Sequence, residues 1–117
     1  MNFFVKIILS AVAVLIVSYL LPGVYVDDFF AALVLAVVLA LLNSLVKPIL
    51  VVFTIPLTVF TLGIFLLVIN AIIILIADGL VPGFQVDGFW WALFFSILLS
   101  VTNSLLTDLS KSGKGSN

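Results

Sequence analysis

Long apolar runs separated by short polar interruptions organise this chain. The runs are Phe3 to Leu21, Phe29 to Val46, about Leu62 to Ala77, and Phe89 to about Leu106. A helix rising 1.5 Å per residue needs about 20 apolar residues to cross a 30 Å hydrocarbon core, and each run comes close to that length. The pattern predicts an all-α membrane protein with four transmembrane helices. Pro22-Gly23 stops the first run and Lys47-Pro48 the second, because proline disfavours helical geometry at the residue before it. The third ends at Asp78-Gly79, followed by Pro82-Gly83. Residues 49–61, with Pro56 inside, are too short for another crossing and read as interfacial or re-entrant. Thr54, Thr58 and Thr61 would share one face of that segment. Residues 111–117 have nothing apolar to bury and read as a flexible polar tail.

Sliding the chain against itself by about 60 residues aligns its halves. Pro22-Gly23-Val24-Tyr25-Val26-Asp27-Asp28-Phe29 meets Pro82-Gly83-Phe84-Gln85-Val86-Asp87-Gly88-Phe89. Ala32-Leu33 meets Ala92-Leu93, Asn43-Ser44-Leu45 meets Asn103-Ser104-Leu105, and Leu9-Ser10-Ala11 meets Ile69-Asn70-Ala71. The expected organisation is two tandem helical hairpins: residues 1–60, which include the interfacial connector, and residues 61–110. Each hairpin holds an even number of crossings, so both copies point the same way. A pseudo-twofold axis along the membrane normal then relates them.

Composition agrees with lipid as the solvent: 66% of the 117 residues are hydrophobic and 8% charged, against about 25% charged in soluble domains. Mean hydropathy is +1.57. Charge adds orientation. Lys6, Lys47, Lys111 and Lys114 fall on the same side of four crossings, whereas Asp27, Asp28 and Asp87 fall in the opposite loops. The positive-inside rule makes the lysine side cytoplasmic, with both termini there. Lys6 before an apolar run resembles the start of a signal peptide, but no small-x-small cleavage site follows. With no cysteine or histidine, the chain lacks thiolate and imidazole chemistry and the usual zinc ligands. A net charge of −1 excludes the basic field that nucleic-acid binding requires. The sequence shows no nucleophile beside a base, no glycine-rich phosphate loop and no paired carboxylates. No enzyme, cofactor or metal is expected.

Four sets of residues stand out. Pro22-Gly23 and Pro82-Gly83 suit tight turns in which glycine takes a positive φ, and Asp27 and Asp87 then stand where they can cap the next helix. A sharper reading gathers Asp27, Asp28, Asp78 and Asp87 into a cation-attracting outer mouth. Small residues recur every fourth position at Ala32, Ala36, Ala40 and Ser44, and again at Ala92, Ser96, Ser100 and Ser104. Such stripes let helix backbones approach closely within or between protomers, and the three serines could instead line a pore. Ser10, Asn43, Asn70 and Asn103 are polar groups within the crossings. Interhelical hydrogen bonds are their ordinary role, and a shared polar site on the pseudo-axis is the alternative. Tyr25, Trp90 and Trp91 read as interfacial anchors.

The ordered series Tyr19-Leu20-Leu21-Pro22-Gly23-x-x-Val26-Asp27, Leu42-Asn43-Ser44-Leu45-Val46-Lys47-Pro48-Ile49-Leu50, Pro56-Leu57-Thr58-x-x-Thr61-Leu62-Gly63, Ile69-Asn70-Ala71 and Val81-Pro82-Gly83-Phe84-x-Val86-Asp87-Gly88-Phe89 resembles the bacterial four-helix "phage holin family 4" proteins, a superfamily that includes the YvlD-like proteins. The resemblance spans about residues 3 to 107 and departs from the internal repeat at Asp28, where the second copy has Gly88. It implies a multi-pass protein of the bacterial inner membrane. The leading expectation is a holin-like, self-associating protein that alters membrane permeability. Two alternatives are an accessory envelope protein binding a membrane-protein partner or lipid, and transport of a small solute or lipid along the pseudo-axis.

Overall fold

The computed structural model describes the backbone of residues 2–115 and the side chains of residues 2–111. Helix α1 spans Phe3–Leu20, β1 Val24–Val26, α2 Phe29–Leu41, α3 Lys47–Phe53, α4 Ile55–Phe60, α5 Ile64–Leu80, β2 Phe84–Val86 and α6 Phe89–Gly115. The fold is helical apart from the two short strands. Among the described residues three helical stretches, Phe3–Leu20, Phe29–Phe53 and Phe89–Lys111, are long and apolar enough to cross a membrane, and α5 is an apolar helix of 17 residues.

Helix α2 does not stop at Lys47-Pro48. It runs into α3 through a π-helical turn, Leu42–Val46, where the Lys47 N–H donates to the Leu42 carbonyl five residues back. The physical reason lies in Pro48. In a regular helix its ring would meet the carbonyl four residues earlier and one hydrogen bond would be lost, and a wider turn just ahead of it relieves both. Residues 49–53 therefore continue the second helix instead of starting a separate segment. Thr54 ends α3, its Oγ1 donating to the Leu50 carbonyl at 2.7 Å. Neither α3 nor α4 has a buried residue.

Helix α5 starts two residues later than the apolar run. Leu62 (φ 58°) and Gly63 (φ 89°) are both left-handed. The Gly63 N–H donates to the Thr58 carbonyl at 2.8 Å and the Leu62 N–H to the Val59 carbonyl at 3.1 Å. This paired closure ends α4 with leucine at the position where glycine is usual. At the other end α5 passes through Asp78-Gly79 to Leu80. Helix α6 is continuous to Gly115, so residues 111–115 of the expected tail are helical. Ser116 and Asn117 lie outside the described residues.

Among the long helices α1 packs on α2 and α6, and α5 on α6 and α2, with α3 and α4 also resting on α5. The contact between α1 and α6 is more extensive than that between α2 and α5. The core holds Val14, Val17, Leu35, Ile69, Ile73 and Phe95, with Ala11, Ala32, Ala71, Ala77 and Ala92 at the close approaches. Large apolar side chains also cover the outside, among them Phe4, Tyr19, Phe53, Phe60 and Leu62. A water-facing protein rarely exposes apolar surface on that scale, whereas lipid accepts it.

The strands close one end of the bundle. They pair antiparallel with Val24 opposite Val86, Tyr25 opposite Gln85 and Val26 opposite Phe84. The Asp27 N–H donates to the Gly83 carbonyl and the Asp87 N–H to the Gly23 carbonyl, both at 2.9 Å. Each bond has its counterpart about 60 residues along the chain, so the ladder reads the same from either strand. Phe84 stacks obliquely on Phe95, 5.5 Å between ring centres, and pins the ribbon to α6.

Candidate functional site

The ribbon end carries the turn residues and the acidic side chains. Gly83 has the expected positive φ, 87°, in a turn closed by the Phe84 N–H on the Val81 carbonyl. Gly23 does not have a positive φ, which corrects the expectation for Pro22-Gly23. Its small size is needed for another reason, since a Cβ there would run into the Trp91 ring. Trp91 is thus partly enclosed over Gly23, while Trp90 and Tyr25 are exposed.

The cap of α2 is Asp28, not Asp27. Asp28 Oδ1 accepts from the Ala31 N–H at 2.8 Å, while Asp27 is still held in the ladder through its own N–H. Asp87 occupies the same ladder position as Asp27, and the residue after it is Gly88, whose φ is 112° and whose carbonyl accepts from the Ala92 N–H. The divergence between Asp28 and Gly88 is therefore a difference in how two helices begin: one by side-chain capping, the other by a left-handed glycine. Asp27 and Asp78 share a cleft of about 550 Å³ under the ribbon. Asp78 Oδ2 accepts from the Val86 N–H at 3.2 Å, and Gln85 Nε2 lies 3.5 Å from Asp87 Oδ1. Asp28 and Asp78 thus support the ends of a helix and a strand, and Asp87 stands apart from the cleft. Among the described residues no group of three or more potential metal-ligating side chains forms.

At the opposite end the helices leave space between them. The small-residue stripes are buried near the ribbon and surface toward this end: Ala32, Ala36, Ala92 and Ser96 are buried, Ala40 is half-buried, and Ser44, Ser100 and Ser104 are exposed. Ser96 donates to the Leu93 carbonyl in its own helix. That space forms two cavities. One, of about 370 Å³, lies among α1, the α2 stretch with its π-turn, and α6; Lys6, Ser10, Asn43, Ser44 and Asn103 supply its polar lining and Phe3, Ile7, Val14 and Leu39 much of its apolar wall. The other, about 80 Å³, is lined by Asn43, Lys47, Asn70, Ser96 and Ser100 together with Leu39, Leu99, Ile73 and Ile74.

The two cavities match across the halves of the chain. Ser10, Val14, Ala36 and Ala40 line the larger one, and the residues about 60 positions on, Asn70, Ile74, Ser96 and Ser100, line the smaller. Asn43, Leu39 and Leu99 border both. Asn43 and Asn103 thus line one space, whereas Ser10 and Asn70 line different ones. The interhelical hydrogen bonds expected of these amides are not made: among the described residues, none of Ser10, Asn43, Asn70 or Asn103 has a side-chain hydrogen bond. Nor are they sealed off, since Thr58 Oγ1 is the one fully buried side-chain polar atom without a partner among the described residues. Lys6 and Lys47, read from sequence only as orientation markers, are lining residues here.

A helical bundle with an apolar exterior and polar cavities at one end describes an integral membrane protein. The family described as "Mycobacterial 4 TMS phage holin, superfamily IV" matches residues 1–105, and the chain belongs to that family. It is similar to the uncharacterized membrane protein YvlD of Bacillus subtilis, 36% identical over 103 residues, covering 87% of each chain. It is also similar to an uncharacterized protein of Streptomyces coelicolor, 37% identical over 121 residues, covering 92% of this chain and 97% of the relative. No solved structure matches.

Proposed function

We propose that this protein is a non-catalytic component of the bacterial cytoplasmic membrane that self-associates and alters permeability through its assemblies, with no channel in the single copy. The observation carrying this reading is the contrast along the bundle. Val14, Leu35, Ile73 and Phe95 fill its middle, while Ser104 of the α6 stripe is exposed and Ser100 opens into the smaller cavity. Water has no polar route through one copy, but a polar lining can be assembled where exposed stripes of several copies meet. Four crossings with both termini inside accompany the proposal, as do two hairpin copies related by a pseudo-twofold axis. The lysines at the cavity end, the reciprocal ladder and a longest dimension of 46 Å favour this arrangement; a bilayer with headgroups is about 40–45 Å thick. Helix α5 would cover about 25 Å by itself, which a locally thinned bilayer accommodates.

Dye-loaded vesicles containing the purified protein test the proposal. Leakage is expected to rise more steeply than in proportion to protein density, and Ser100→Leu with Ser104→Leu is expected to flatten that rise. No leakage at high density rejects the permeability role. The accessory reading would then take its place, favoured by the cavity with unpartnered polar groups at the end away from the ribbon.

A further inference from the structure

The larger cavity contains a cation without a counter-ion. Lys6 lies in the opening turns of α1, its N–H donating to the Asn2 carbonyl, so its ammonium stands near the positive end of the helix dipole. Among the described residues, none lining the cavity is a carboxylate. Lining the cavity with Lys6 are the amides of Asn43 and Asn103 and the hydroxyls of Ser10 and Ser44, and among the described residues Ser10, Asn43 and Asn103 have no side-chain hydrogen-bond partner. Every one of these groups can donate a hydrogen bond, and the lysine can do nothing else. A site rich in donors, positive and acid-free selects an anion with several acceptor oxygens.

The rest of the wall narrows the choice. Phe3, Ile7, Val14 and Leu39 give the cavity an apolar side that a free inorganic anion would not use. The volume of about 370 Å³ is at the small end of ligand cavities, enough for a headgroup but not for a whole lipid. The matching cavity in the other half is also bordered by a lysine, Lys47, but holds only about 80 Å³, and the residue about 60 positions after Lys6 is Leu66. Donor cation and room thus occur together in one half only.

We infer that this cavity binds the phosphodiester of an anionic phospholipid: Lys6 meets the charge, Asn43, Asn103 and Ser10 donate to the phosphate oxygens, and the proximal acyl chains lie along the Phe3 and Ile7 side. The inference takes from the proposed topology only that this end lies within the cytoplasmic leaflet.

Native mass spectrometry of the full chain, released from nanodiscs of equal phosphatidylglycerol and phosphatidylcholine, tests it. One phosphatidylglycerol is expected to remain per protomer in preference to phosphatidylcholine. Lys6→Gln is expected to lower that retention about five- to tenfold, by loss of one lysine's attraction and its donors. Lys6→Arg restores it, Asn103→Leu lowers it, and Lys111→Gln leaves it unchanged. Circular dichroism of each variant checks that the helices persist. Equal retention of both lipids, or full retention in folded Lys6→Gln, overturns the inference. Displacement of the lipid by millimolar inorganic phosphate also overturns it, since the site would then be one for free phosphate. Retention is read without reference to leakage, so the lipid site and the permeability proposal stand or fall separately.

Discussion

Neighbouring residues in this chain have unlike duties, and single substitutions separate them. Asp28 caps α2 whereas Asp27 does not, so Asp28→Ala is expected to cost about 1 kcal/mol and Asp27→Ala a few tenths at most. Thermal unfolding in detergent, followed by circular dichroism, measures the difference; equal losses would remove the cap assignment. Leu62 holds a left-handed backbone that costs an L side chain about 1–2 kcal/mol, and its side chain is 93% exposed. Leu62→Gly is therefore expected to raise the melting temperature in detergent, and an unchanged or lower value would remove the strain assignment. Sequence made the Pro-Gly turns legible but not which acid caps. That depends on the ladder holding Asp27 extended for one more residue, and the pairing of strands far apart in sequence leaves no local signal.

At the scale of elements, the second helix is the informative case. Its continuation past Pro48 rests on the wide turn at Leu42–Val46. A π-turn holds one residue more than an α-turn, so deleting exposed Leu45 is expected to regularise the helix and leave the protein folded. Deleting Leu35 from the regular part rotates everything after it by about 100° and is expected to abolish folding. Size-exclusion profiles of the two detergent-solubilised deletions distinguish these outcomes. The apolar runs located the helices because lipid demands about 20 apolar residues whatever the neighbours. Helix ends were less legible: Lys47-Pro48 and Asp78-Gly79 carry stop signals that the backbone passes through. The strands were missed, although Val24-Tyr25-Val26 and Phe84-Gln85-Val86 have β-branched or aromatic residues at matched places.

For the whole molecule, the ribbon ties the two halves together at one end and the helices leave space between them at the other. Tyr25 and Gln85 are opposed, exposed and the midpoint of the ladder. In a chain without cysteine, Tyr25→Cys with Gln85→Cys is expected to crosslink within one copy through a short bis-maleimide. A product only between copies would mean that the ribbon forms by exchange between protomers. Phe95 is fully buried where β2 meets α6, and Phe95→Ala is expected to cost about 3 kcal/mol. That figure is the low end for such truncations, because lipid also solvates an unpacked phenyl ring. Detergent-resistant tryptophan fluorescence on heating would measure the loss.

Sequence alone determined the solvent, the helical class, the location of the long helices and the internal match between halves. Each of these follows from a one-dimensional requirement: enough apolar length to cross lipid, or identity at a fixed offset. The tertiary structure decided where equivalent residues part company. Ser10 and Asn70 match in sequence but line separate cavities, Asn43 and Asn103 meet in one, and Lys6 acquires neighbours that make it a candidate ligand instead of an orientation marker. The unequal packing of α1 on α6 and of α2 on α5 accompanies this split, and such inequality arises from contacts across the bundle that no local pattern encodes.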